Sequence, residues 1–230
     1  MPAAEPIYLD YNATAPIREE VIALVVEIMA TVGNASSVHQ AGRKARARVD
    51  KARQQVADLI GAPAKNVIFT SGGTEADNLA LRGFGPRHLI VSGIEHAAIL
   101  ALARLLDRDA AIVDVDADGR VDLDALDAAL AASTTPALVS LMLANNETGV
   151  IQPVAEAAQI AHAHNALLHC DAIQGAGKMT VDINELGADL LSLSAHKIGG
   201  PQGVGALVMR EDRTVMAQMV GGGQEMGRRS

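Results

Sequence analysis

Seven short, mostly apolar runs alternate with amphipathic helical patterns along this chain, and that alternation limits what it can fold into. The runs are Val67–Thr70, His88–Val91, Ala111–Val115, Leu138–Leu143, Ala166–Cys170, Asp189–Leu193 and Val204–Met209. Continuous apolar runs of this length read as strands buried on both faces. Helical patterns cover 17–31, 37–60, 74–83, 96–107, 122–132 and 153–164. Gly61 and Pro63 stop the second, and Pro153 suits the first turn of the sixth. The expected fold is α/β: a mostly parallel seven-stranded sheet with helices on both faces. The last run follows Gly199-Gly200-Pro201, a link too short for a helical crossover, so its strand is expected to run antiparallel.

Only Tyr8, Tyr11, Phe69 and Phe84 are aromatic, so Val, Leu, Ile and Ala must build the core. The formal net charge of -8 argues against nucleic-acid or membrane-surface binding, which needs a basic face. The one basic run, Arg43 to Arg48, falls in a helical pattern and reads as a solvated face. Cys170 is the single cysteine, so no internal disulfide forms. There is no signal-peptide pattern and no stretch near the ~20 apolar residues of a membrane span, so a cytoplasmic protein is the expectation.

In open α/β sheets, ligands sit beyond the carboxyl ends of the strands. Five runs here lead into polar groups at that end. Ser71-Gly72-Gly73-Thr74 combines close backbone approach with a helix start, which favours an anion; a glycine turn with a threonine cap is the other reading. Ser194-Ala195-His196-Lys197 places a lysine among small residues. Partial desolvation there would make its amine nucleophilic, whereas a plain loop lysine would not be. Asp171 ends an apolar run and needs a partner: a cationic ring nitrogen, or the backbone it caps. His96 either stacks on a ring and moves protons or simply opens a helix. Asn146 and Gln174 suit a phenolate oxygen or ordinary turn bonding. Jointly these groups match one cofactor, pyridoxal 5'-phosphate (PLP), which has a phosphate, a ring nitrogen, a phenolate and an aldehyde. No metal is expected.

The same segments resemble the cysteine desulfurases of the class V aminotransferase family. The resemblance runs from Tyr8 to Ser230. It is carried by Tyr8–Pro16, Gly33–His39, Phe69–Asn78, Glu95-His96, Asn145–Gly149, His169–Gln174, Ser194–Lys197 and Gly221–Glu225. It implies that Lys197 bonds the cofactor aldehyde, that Asp171 pairs with the ring nitrogen, and that His96 stacks and shuttles protons. Gly73, Thr74, Ser194 and His196 would hold the phosphate, and Asn146 and Gln174 the ring-oxygen side. Asn12, Asn34 and His39 match positions near the family's active site.

The implied reaction takes sulfur from L-cysteine, or a related amino acid, and gives alanine and a persulfide, for iron–sulfur cluster or thio-cofactor assembly. A homodimer and a sulfur-acceptor protein are the expected partners. The expected organisation is an N-terminal segment at 1–16, a PLP-binding domain at 17–220, and a glycine-rich loop at 221–230 leading to a small domain. The family's persulfide cysteine and its arginine for the substrate carboxylate belong to that small domain. Cys170 is instead expected to be a buried structural thiol. Selenocysteine lysis, transamination and a non-catalytic PLP-binding fragment remain as alternatives.

Overall fold

The computed structural model describes residues 7–85 and 87–229. The strands are β1 (Val67–Thr70), β2 (His88–Ser92), β3 (Ala111–Val113), β4 (Ala137–Met142), β5 (Leu167–Asp171), β6 (Leu190–Ser194) and β7 (Gly205–Met209). The helices are α1 (Glu19–Met29), α2 (Gln40–Ile60), α3 (Gly73–Arg82), α4 (Ala97–Leu106), α5 (Leu123–Ala132) and α6 (Val154–Ala163). One sheet takes the order β1-β7-β6-β5-β4-β2-β3. Only β7 opposes the rest, pairing antiparallel with both β1 and β6, as its short connection requires. The carboxyl ends of β1, β2, β4, β5 and β6 therefore share one rim.

Both faces of the sheet are covered. Val139, Leu141, Leu168, Cys170, Leu191 and Leu193 pack against α2, α5 and α6. Leu138, Leu167 and Leu190, one residue out of phase, pack against α3 and α4. That second face changes character towards the rim, where Ser140, His169, Asp171, Ser192 and Ser194 replace the leucines.

Local chemistry sets the boundaries. α2 opens on the His39 ring, whose Nδ1 accepts the Gly42 N–H at 3.3 Å, and closes on Gly61 at φ 73°. β3 stops at Val113, two residues short of the apolar run. Asp116 then accepts the N–H groups of Asp118 and Arg120 and bends the chain, leaving Val115 only an isolated bridge to Val121. β5 extends to include Asp171, so that carboxyl is part of the strand itself. α1 buries none of its residues, and Ile22, Leu24, Val26 and Met29 stand exposed.

The tail differs from the open loop expected. Gln224–Gly227 forms a 3-10 turn. Glu225 pairs with Arg53 at 2.6 Å and accepts the Phe69 N–H at 2.8 Å, while Arg229 pairs with Glu75. β1 is an edge strand, and Glu225 satisfies one of its otherwise unpaired donors. Met1–Pro6, within the proposed N-terminal segment, and Ser230 lie outside the described residues.

Candidate functional site

At the carboxyl rim lies a cavity of about 460 Å³. All nine residues expected at a cofactor site line it: Gly73, Thr74, His96, Asn146, Asp171, Gln174, Ser194, His196 and Lys197. Each arrives from a different part of the rim because the strands beneath are in parallel register. Asp171 pairs with Ser192 across β5 and β6, and two residues further along β6 comes Ser194, followed by a 3-10 turn holding His196 and Lys197.

Between β1 and α3 the chain turns at Gly72, with φ 155° and ψ -177°, a region that side chains other than glycine's hardly enter. The turn brings the first residues of α3 to the cavity wall, where N–H groups lacking an intrahelical acceptor favour an anion. A Cβ on Gly73 would come within 2.2 Å of Ile173 Cδ1. A larger residue there would require the Ile173 side chain to shift.

The Lys197 amine donates to the carbonyls of Asn12 and of Ala13, the latter at 2.9 Å. Burial, and then the charge of Lys178, hold its pKa below the usual lysine value, against the pull of Asp171 and Asp10. Asp171 Oδ1 accepts the Ile173 N–H at 2.9 Å. Burial raises the Asp171 pKa, and Ile173, His96 and Lys197 oppose that rise. Asp171 thus caps the following turn and also faces the cavity. His96 is the cap of α4, its Nδ1 accepting the Ala98 N–H at 3.2 Å. That bond leaves Nε2 as the nitrogen available to a ligand. His196 Nδ1 lies 3.1 Å from the Thr14 hydroxyl, and burial lowers its pKa, with Lys197 adding to the effect.

Asn12 links several of these groups. Its carbonyl accepts from Gln174 Nε2 at 2.8 Å, and its side chain donates to the Asn146 carbonyl at 3.0 Å. Lys178 Nζ bonds Asn12 Oδ1 at 2.9 Å and Gln174 Oε1 at 2.6 Å. The Asn146 amide donates to Glu147 at 2.6 Å. Asn34 and His39 do not line the cavity: Asn34 closes a turn on Ser36, and His39 caps α2.

The sequence reading gave no role to two buried carboxyls here. Asp77 also lines the cavity, and Glu95 is buried nearby. The signal for Asp77 was its position four residues after Gly73, on the helix face that buries Ala76 and Ala80. Cys170 is fully buried, and burial pushes its thiol well up. A larger hollow of about 1050 Å³ opens at the opposite end of β2 and β4, lined by Arg87, His88 and Asp107. His88 and Asp107 are bonded to each other there at 2.9 Å.

The model of the aminotransferase class-V family matches residues 7–229. The chain belongs to the class V aminotransferases. Another class V protein, cysteine desulfurase IscS of Anaeromyxobacter sp. (strain Fw109-5), is 45% identical over 98% of this chain. This chain spans 58% of that relative's length. The NifS-like protein from Rickettsia africae ESF-5 superposes with a TM-score of 0.93 at 37% identity, over 97% of this chain and 63% of that one. SspA, solved in complex with cysteine, superposes with a TM-score of 0.89 at 29% identity, over 97% and 67%.

Class V aminotransferases depend on PLP. The donor set here fits that cofactor: a partly desolvated amine, a buried carboxyl with no cation bonded to it among the described residues, and the first turn of a helix share one cavity.

Proposed function

We propose that this chain forms the PLP-binding part of a cysteine desulfurase, which removes sulfur from L-cysteine and leaves alanine. The carrying observation is the meeting of Lys197, Asp171 and the start of α3 in one cavity. The cysteine desulfurase named among its relatives, and the relative solved with cysteine, support this substrate over other amino acids.

Each residue has a role that follows from its environment. Lys197 is the nucleophile for an aldehyde, because desolvation leaves more of its amine unprotonated. Asp171 holds a cationic ring nitrogen by charge and hydrogen bond. Gly73 and Thr74 at the start of α3, with Ser194 and His196, hold the phosphate. Asn146 and Gln174 serve the ring oxygen. His96 presents Nε2 to a ring face and takes or returns a proton there. When bound, PLP supplies an electron sink for the substrate's Cα.

Cys170 is sealed inside the sheet and is the only cysteine of this sequence, so the thiol that accepts sulfur comes from outside these 230 residues. A homodimer, a sulfur-acceptor protein, a cytoplasmic setting and a role in iron–sulfur or thio-cofactor assembly belong to the same proposal. The test adds PLP to the purified chain, fixes the visible band with borohydride and locates the label. The label is expected on Lys197. Sulfide release from L-cysteine, measured with an added thiol and with the remaining polypeptide of a full-length relative, checks the substrate. Turnover of selenocysteine with none of cysteine would transfer the proposal to a selenocysteine lyase.

A further inference from the structure

Beneath the Asp171 end of the cavity runs a buried polar row that the functions above do not use. Ser140 and His169 are partners across β4 and β5, Ser192 lies diagonally across on β6, opposite Asp171, and all three are buried. Ser140 Oγ lies 2.9 Å from His169 Nδ1, and Ser192 Oγ lies 2.9 Å from Nε2. Each ring nitrogen of His169 thus has one serine hydroxyl as its partner. Burial keeps the imidazole neutral, pushing the His169 pKa down to about 3. Both nitrogens of the ring are therefore satisfied without Asp77. Asp77 lies close to both Ser192 and the His169 ring, its Oδ1 3.7 Å from Nε2.

Asp77 is 1% exposed, and its Oδ1 has no hydrogen-bond partner, the His169 Nε2 being 3.7 Å away. It lines the same cavity as Asp171. Two carboxyls this deeply buried do not both ionise at neutral pH without a cation for each. The surroundings divide them. Asp171 has the Ile173 N–H and the nearby charges of His96 and Lys197. Asp77 faces Asp171 and neutral His169 from β5, and Ser192 from β6. Glu95, buried where the chain passes from β2 to α4, is also near and is pushed up by its own burial and then by Asp171.

We propose that Asp77 is a positioning residue: a second carboxyl at the Asp171 end, kept protonated because it is sealed beside Asp171 among neutral groups, so that Asp171 alone carries the charge facing a cationic ring nitrogen. The ring nitrogen in this statement rests on the PLP reading; the proton on Asp77 does not.

Infrared difference spectroscopy on the cofactor-free chain at pH 7 tests it. Subtracting Asp77→Asn from the parent is expected to reveal a protonated-carboxyl C=O stretch, distinct from that of Glu95, which is common to both. A difference showing only an ionised carboxylate would overturn the proposal. Asp171→Asn provides a second test that needs no change at Asp77: without the neighbouring charge, the Asp77 carboxyl band is lost at lower pH than in the parent. An unchanged midpoint would also overturn it. Loading with PLP is expected to leave the Asp77 band in place, and its loss on loading means the proton is not held there. A chain that takes up no PLP would defeat the functional reading while leaving the cofactor-free result intact.

Discussion

The Lys197 amine donates to the backbone carbonyl of Asn12, joining the rim beyond β6 to a segment 185 residues away in sequence. The amine proposed to bond PLP is therefore already drawn to the cavity wall, and the segment carrying Asn12 must release it for the cofactor to enter. Lys197→Ala is expected to abolish the visible PLP band and the borohydride label. The stability cost should be about 1 kcal/mol or less, since only exposed hydrogen bonds are lost. Far-UV circular dichroism and a urea titration separate the two effects.

Asp171→Asn keeps the shape of the side chain and removes its charge. A hydrogen bond to a charged group contributes about 1.5–3 kcal/mol, so PLP affinity should fall by about 10- to 100-fold. Equilibrium titration of the visible band measures this. Unchanged affinity would mean that Asp171 serves only as the cap for Ile173.

His169 gives the fold an acid-side weakness. Its folded pKa of about 3 lies below the unfolded value of about 6.5. Between those values the unfolded chain binds the proton and the folded chain does not, so stability falls as pH falls, by up to about 1.4 kcal/mol per unit. The buried carboxyls of Asp77, Glu95 and Asp171, raised by their burial, act in the opposite direction and are common to parent and variant. His169→Gln is expected to be less stable than the parent at pH 7 and to show a flatter decline between pH 6 and pH 4. Denaturant titrations at a series of pH values read the slope.

Glu225 holds Arg53 through both carboxylate oxygens, at 2.6 and 2.9 Å, and Arg53 lies 4.8 Å over the Phe69 ring. Both side chains of the pair are 12% exposed, so removing one leaves the other poorly solvated. Glu225→Ala is expected to cost about 2–3 kcal/mol. The urea midpoint should fall with its slope unchanged, and the tail should become open to protease.

Much of this organisation was legible in the residues. The apolar runs located every strand to within a residue or two, because strands buried on both faces must be apolar throughout. The link through Gly199–Pro201 foretold the antiparallel β7. Nine residues that line the cavity could be named because each ends or follows a strand at the rim where ligands bind. Asp77 was missed because it is inside a helix, where one acidic residue looks like part of a solvated face until the helix is docked. Asn12 carried a family match but no visible role, since its partners Asn146, Gln174, Lys178 and Lys197 are more than 130 residues away.

The order of residues alone determined which segments are strands and helices, and which polar groups end each strand, because these depend on local periodicity and turn chemistry. The docking of those elements decided the rest. Only the pairing of β4, β5 and β6 brings Ser140 beside His169 and Ser192 diagonally across from it, and only the packing of α3 brings Asp77 close to them. Protonation follows from that docking, because the cost of a charge depends on the water and counter-charges that remain beside it once the layers have closed.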